Sequence, residues 1–412
     1  MTSPTNATAF AALASVLLGA ASCGSSPAGA AADAGDPVVE AGAPYDGPFD
    51  VPDGQAVTVP LSGCAGPGYA ATFAVGSQKF QLTVDTGSGT LAVASNACTN
   101  CGVASVYSPG AAAKDQNETT SDTYLAGSWS GEVYSDSVKL VGLDKSVKMD
   151  FAAIDSQSGF FLADAGCAFG SRPFAPQGIV GFGPPGLSTQ GTDPFLTKLT
   201  ASGAVADVFA VELCAWGGQL MVGGVDPAKA KLNGPLIYTP LMSTSYYSVK
   251  LTEARVSGDS TLFGASDFGT TVVDTGTSVL ALPPNVFDAM TKTIEGTTAF
   301  KTAFDGKTGW FGTTQCFTSP SSSSAELDAE LPALEFSFPG AAGGTVSLTL
   351  KATESYLPPS TDGGKTYYCS GMWPSPDPGK TILGAAAMLG HLVIFDVADG
   401  KLGFASQAYC PP

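Results

Sequence analysis

Val84-Asp85-Thr86-Gly87-Ser88-Gly89-Thr90-Leu91-Ala92-Val93 returns later in the chain as Val273-Asp274-Thr275-Gly276-Thr277-Ser278-Val279-Leu280-Ala281-Leu282. In each copy an apolar run meets Asp-Thr-Gly and a hydroxyl residue, and a second apolar run leaves. This pattern predicts a buried strand, a tight turn and a departing strand. Glycine lets the backbone turn closely, while Thr and Ser hydroxyls bond neighbouring backbone groups and stiffen the loop. Each Asp is therefore expected at the tip of a rigid loop between hydrophobic walls. Two equivalent carboxylates in one chain suggest a pair built to meet across a pseudo-twofold axis.

Working outward, a length of 412 residues accommodates two cores. With 51 Gly and 29 Pro, the composition points to a β-rich, turn-rich class rather than a helical one. The formal charge is −18 and the 18 basic residues form no cluster, which opposes binding to nucleic acid. His391 is the single histidine, so Ser-His-Asp, Cys-His and His-based zinc chemistry are all disfavoured. No metal and no cofactor are expected. If the chain is an enzyme, carboxylates carry the reaction.

Residues 9–21 form a small-residue apolar run too short to span a bilayer. Ala20-Ala21-Ser22-Cys23 follows and resembles a bacterial lipoprotein cleavage site, with Cys23 as the acylated residue. Residues 1–23 are thus read as an export signal, which makes the protein a cell-envelope lipoprotein or a secreted one. Any membrane attachment would come through the lipid anchor. Setting Cys23 aside leaves an even number of the 9 cysteines, as suits an oxidising compartment. Cys98 and Cys101 are close enough to close a small loop, with a redox or zinc C-x-x-C as the competing reading. The pairing of Cys64, Cys167, Cys214 and Cys410 stays open.

Residues 24–55 are Ala, Gly, Pro and Asp with no Lys or Arg, which reads as a disordered acidic linker. Order is expected from about Val57. Residues 69–76 and 79–84 read as a hairpin turning at Gly76-Ser77 and feeding the first Asp loop. A polar, mobile section is expected after Cys101, and residues 123–133 then read as a hairpin able to bend over a cleft. Gly181-Phe182-Gly183-Pro184-Pro185-Gly186 fits G-x-G-x-x-G, but its prolines and its context exclude a dinucleotide site. A short helix is expected over 193–199, with strands at 208–213 and 219–222. In the second half, strands are expected at 246–251, 270–273, 331–338, 392–395 and 402–404. Residues 284–295 carry Val286, Phe287, Met290 and Ile294 at helical spacing, behind a leading proline. Thr381-Ile382-Leu383-Gly384 echoes Ile179-Val180-Gly181.

From about Val57 to its end the chain resembles the pepsin-like aspartic proteases. The resemblance is carried by the two Asp-Thr-Gly loops, residues 124–131, 177–183, 331–338 and 382–405. It implies a mostly β, bilobal fold, with an N-terminal lobe over 56–235 and a C-terminal lobe over 236–412. It also implies an aspartic endopeptidase acting at acidic pH on a peptide or protein in extended conformation, as a monomer. Asp85 and Asp274 would be the catalytic pair, supported by Thr86, Gly87, Ser88, Thr275, Gly276 and Thr277. Two carboxylates within about 3 Å share one proton, and the ionised member activates a water. Tyr124, Gly127 and Ser128 match the flap, the hairpin that closes over substrate. Cys98–Cys101 and Cys316–Cys369 match the family's bridges. Ala92 stands where the family often has a tryptophan bonded to the flap tyrosine, Leu125 where Gly is usual, and Gly89 where Ser is commoner. Trp129 could compensate for Ala92. A non-catalytic binding or inhibitor protein on the same fold is the alternative.

Overall fold

The computed structural model describes residues 56–407, except position 126, residues 162–173, 227–228, 231, 244, 320–322 and 363. The export signal with Cys23, the linker over 24–55, Cys167 and Cys410 lie outside the described residues.

The two Asp loops sit in matching surroundings. Gln78–Asp85 enters the first and Leu91–Ala94 leaves it. Gly178–Gly181 is inserted between these strands, parallel to the entering one and antiparallel to the leaving one. In the second half Lys380–Leu383 lies in the same way between Thr270–Val273 and Leu280–Leu282. The inserted strands are the two Ile-(Val/Leu)-Gly segments. Gly178–Gly181 is buried throughout, and a strand covered on both faces needs a continuous apolar run rather than alternation. The Gly76-Ser77 hairpin forms as expected, with Gly76 at φ 58° in the left-handed region that the turn requires.

The halves are joined by a sheet that takes strands from both. Its order is Val57–Cys64, Gly218–Val222, Val208–Leu213, His391–Asp396, Lys401–Ser406, Ile237–Pro240. The joint falls between Val208–Leu213 and His391–Asp396, where Phe209 stands opposite Phe395. Their rings stack at 4.5 Å between centroids and 4° between planes. Phe182 meets Phe209 edge-on at 5.3 Å, and Tyr247 tilts against Phe395 at 5.0 Å. The Tyr247 hydroxyl donates to the Phe182 carbonyl at 3.0 Å, and the Phe182 N–H donates to the Asp85 carbonyl at 2.7 Å. This aromatic layer thus ties the interlobe joint to the base of the first Asp loop.

The helix forms as Pro284–Gly296, with Val286, Phe287, Met290 and Ile294 buried. It runs one residue further than the expected span, with Gly296 as its last residue. Thr297 follows, and its hydroxyl accepts from the Phe300 N–H to start Thr298–Ala303. The expected short helix is Phe195–Ala201, and the alternating segment forms as Leu334–Pro339 with every second residue buried.

Two expectations need correction. The polar section after Cys101 contains a strand, Lys114–Thr123, which is mostly exposed and pairs with Ser128–Leu140 at the end of its sheet. A charged edge strand lacks the apolar alternation that marks a half-buried one, and its charges discourage pairing with a further chain. The strand expected over 246–251 is reduced to Ser248–Val249. Its backbone changes partner there: Ser248 pairs with Val272, whereas the Thr252 N–H already donates to Ser337 of a different sheet.

Truncating the stacked ring in Phe209→Ala should cost about 3–5 kcal/mol of unfolding free energy, measured by urea denaturation. A loss below about 1 kcal/mol would mean that the joint does not depend on this stack.

Candidate active site

Asp85 and Asp274 are brought together and buried, at 1% and 2% exposure. Each carboxylate is held by its own loop in the same way. The Gly87 N–H donates to Asp85 Oδ1 at 2.8 Å and the Ser88 hydroxyl to Oδ2 at 2.6 Å. The Gly276 N–H donates to Asp274 Oδ1 at 2.8 Å and the Thr277 hydroxyl to Oδ2 at 2.6 Å. Thr86 and Thr275 do not touch the carboxylates. The Thr86 hydroxyl donates to the Val273 carbonyl at 3.1 Å and accepts from the Thr275 N–H at 2.9 Å. The Thr275 hydroxyl donates to the Val84 carbonyl at 2.8 Å and accepts from the Thr86 N–H at 3.1 Å. Glycine is required beside each aspartate: a Cβ at Gly87 would lie 2.7 Å from the Asp274 carboxylate, and one at Gly276 would collide with that of Asp85.

Burial pushes the Asp85 carboxyl well above its ordinary value of 3.8, and the charge of Asp274 pushes it further the same way. The bond between the two carboxyl groups adds to the rise, while the Ser88 and Gly87 donors oppose it. Two carboxyl groups in such contact hold a proton between them, because ionising both in a dry site is costly.

Tyr124, Gly127 and Ser128 occupy the tip of the hairpin made by Lys114–Thr123 and Ser128–Leu140. Tyr124 and Gly127 exchange backbone hydrogen bonds at 2.7 and 3.3 Å. Leu125 is 49% exposed at this tip. Tyr124 itself is buried, and the charge of Asp85 reaches its hydroxyl, whose pKa is raised first by burial and then by Asp122 and Asp85. The Trp129 indole N–H donates to the Tyr124 hydroxyl at 3.4 Å. Trp129 packs in a cluster with Ala92, Ala94 and Ala152, and Ala92 pairs with Ala152 in the underlying sheet. The small residue at position 92 therefore makes room for an indole that arrives from the hairpin.

Other residues near the hairpin carried no sequence signal. Phe160 stacks on Tyr124 at 5.5 Å between centroids. Gln157 accepts from the Phe160 N–H at 2.9 Å, and its side chain donates to the Asn100 carbonyl at 2.8 Å. Asn100 returns a bond from its own amide to the Gln157 carbonyl at 2.8 Å. Asn100 lies inside the loop closed by the Cys98–Cys101 disulfide, so that small ring is connected to the hairpin through Gln157 and Phe160. Only contact in space reveals this path, since its members are separated by long stretches of chain. Cys98–Cys101 and Cys316–Cys369 are both disulfide-bonded, in the pairings that the resemblance implies. Cys64 and Cys214 are each disulfide-bonded as well. Among the described residues no group of His, Cys, Asp and Glu is arranged to hold a metal ion.

Comparison with known proteins agrees with this geometry. Residues 68–407 match the profile of a family described as eukaryotic aspartyl protease. A β-secretase of Strongylocentrotus purpuratus is 28% identical over 382 residues, covering 85% of this chain and 68% of its own. An aspartic protease of Phaffia rhodozyma is 26% identical over 341 residues, covering 82% of this chain and 76% of its own. A cathepsin E of Cavia porcellus is 30% identical over 241 residues, covering 56% of this chain and 58% of its own. The matched profile spans most of the chain, including both Asp-Thr-Gly loops and the strands inserted beside them, and the chain belongs to the eukaryotic aspartyl protease family.

Proposed function

We propose that Asp85 and Asp274 are the catalytic pair of this aspartic endopeptidase, and that the enzyme hydrolyses an extended peptide at acidic pH. The observation that supports this reading above others is the duplicated anchoring of two buried, touching carboxyl groups. Each takes one backbone N–H and one hydroxyl, so the outward-facing lone pairs and one shared proton are left for a reactant.

In this mechanism the ionised member of the pair draws a proton from a water molecule, and the water oxygen attacks the scissile carbonyl carbon. The protonated member donates to the carbonyl oxygen. The resulting tetrahedral intermediate collapses as the leaving nitrogen takes a proton and the C–N bond breaks. The titration belongs to the pair rather than to either residue. Ser88 and Thr277 orient the carboxylates. The Tyr124 hairpin is the flap, which excludes water from the reacting centre when substrate is bound. Trp129 takes the place of the tryptophan usual at position 92 by supplying an N–H to the same tyrosine hydroxyl.

We take the substrate cleft as the space between the two lobes, which the pairing of Val208–Leu213 with His391–Asp396 joins. Export is supported by the apolar run at 9–21 and by the disulfides, which belong to an oxidising compartment. Acylation at Cys23 rests on the sequence around it, and mass spectrometry of the mature N-terminus decides it: an unmodified Cys23 on an otherwise intact N-terminus rules it out.

Asp85→Asn and Asp274→Asn should each lower kcat/KM on a fluorogenic peptide by at least ~10³-fold, measured near pH 4. Activity that survives either substitution removes the pair from the mechanism.

Stability should carry the signature of the buried dyad. Asp85 has a folded pKa raised above the ordinary 3.8, so its protonated form fits the fold better than its ionised form. Both states are protonated well below 3.8, and the group contributes no penalty there. As pH rises through and above 3.8 the unfolded chain ionises first, and the folded state loses stability until the raised folded value is passed. Urea denaturation of wild type and Asp85→Asn across this range should therefore show the variant gaining relative stability with rising pH. A difference that stays flat would show that the group is not held in the protonated form.

On the flap, Phe160→Ala should raise KM by roughly three- to tenfold with a smaller change in kcat, because it loosens the tyrosine without touching the dyad. Equal losses in kcat and kcat/KM would place Phe160 in the chemical step instead.

A further inference from the structure

We propose that Gln157 is a positioning residue of the peptidase: its side-chain amide fixes the backbone on which the Tyr124 hairpin rests, with the disulfide-closed loop of residues 98–101 as its anchor. The inference rests on the peptidase reading and adds to it the device that places the flap.

The tip of the hairpin sits directly on residues 158–160. A Cβ at Gly127 would lie 2.5 Å from the Phe160 nitrogen and from the Ser158 carbonyl oxygen, so position 127 takes no side chain while those residues stay where they are. Ser128 forms a parallel bridge with Gly159, and the Phe160 ring stacks on Tyr124. Wherever this segment lies, the tip and its tyrosine must follow.

Gln157 holds the segment. It is the penultimate residue of the strand Val147–Ser158 and stands opposite Trp129 in the register. Its Oε1 accepts from the Phe160 N–H at 2.9 Å and from the Phe161 N–H at 3.2 Å. Its Nε2 donates to the Asn100 carbonyl at 2.8 Å, and the Asn100 side-chain amide donates to the Gln157 carbonyl at 2.8 Å. A primary amide supplies both an acceptor towards Phe160 and a donor towards Asn100.

The anchor is secured on both sides of Asn100. The Cys98–Cys101 disulfide closes the loop around it, and a covalent closure of so few residues limits the conformations that the Asn100 carbonyl can take. Cys101 is buried in the cluster that also holds Ala92, Ala94, Tyr124 and Trp129. The Cys98 N–H donates to the Ser95 carbonyl at 3.0 Å, and the Ser95 N–H donates to the Ile154 carbonyl at 2.9 Å. Ser95 directly follows Leu91–Ala94, the strand that leaves the Asp85 loop. Gln157 therefore ties the flap to the strand that supports the catalytic loop. Removing its amide leaves the acid pair and the donors to it unchanged and loosens the placement of the flap, so the loss should fall on KM.

The test measures KM and kcat on a fluorogenic peptide at two pH values, about one unit below and about one unit above the ordinary glutamic acid value of about 4.3. Gln157→Leu should raise KM by about fivefold at both, with kcat changed by less than about twofold. Gln157→Glu gives the readout that a merely structural role would not move. A protonated carboxyl group accepts at one oxygen and donates from the other, as the amide does, whereas a carboxylate only accepts. The KM of Gln157→Glu relative to wild type should therefore be about one at the lower pH and rise to about fivefold at the higher. Should Gln157→Leu fail to fold, Gln157→Glu decides alone, since it is read against itself at two pH values. Variants that match wild type in KM at both pH values overturn the inference and leave the peptidase reading standing. So does a loss in Gln157→Glu that is equal at both pH values, or one that falls on kcat alone. Failure of wild type to cleave, matching Asp85→Asn at both pH values, overturns the peptidase reading and this inference with it.

Discussion

The exchange between Thr86 and Thr275 is the constraint on which the rest depends. Each threonine is buried, and each hydroxyl both donates to a carbonyl and accepts from an N–H of the opposite loop. Separating the loops would leave these groups without partners in a dry interior, at about 1–3 kcal/mol for each one. That linkage lets two carboxyl groups remain in contact although their charges repel. The aspartates are held by their own loops, and the loops are held by each other. Orientation of the acids and closure of the interface are thereby assigned to different residues.

The surroundings share the load. The inserted strands Gly178–Gly181 and Lys380–Leu383 support the loops from below, with the Asp274 N–H donating to Leu383 at 3.0 Å. The stacked Phe209 and Phe395 close the sheet that crosses between halves. Through Phe182 and Tyr247 the same aromatic layer reaches the Asp85 backbone. A base so densely bonded keeps the carboxyl groups in place, whereas the Tyr124 hairpin has its outer strand at the sheet's end, with no further strand beyond it among the described residues.

Much of this was legible because duplication exposes it. Two Asp-Thr-Gly loops, each answered by an Ile-x-Gly segment, announce the symmetry without any coordinates, and the apolar runs around them state which parts are buried. The helix over Pro284–Gly296 was equally open, since its buried positions recur at the helical period. Lys114–Thr123 was not, because an edge strand exposed on both faces has no apolar rhythm to read. The path from the Cys98–Cys101 ring through Asn100, Gln157 and Phe160 to Tyr124 was hidden for another reason: its links are polar and aromatic contacts between distant stretches.

The departure at position 92 shows what the flap needs from its sequence. The resemblance places a tryptophan in the body of the lobe, whereas here the indole comes from the hairpin itself and bonds the tyrosine five residues before it. A bond inside the hairpin orients the tyrosine but cannot by itself tether the hairpin to the lobe. That second task passes to packing, with Trp129 seated among Ala92, Ala94 and Ala152 and with Phe160 stacked on Tyr124. Packing is less directional than a hydrogen bond and yields more easily to a ligand of different shape. Ala92 is therefore one half of a complementary pair, and its small side chain is what allows the tryptophan to be carried by the hairpin rather than by the body of the lobe.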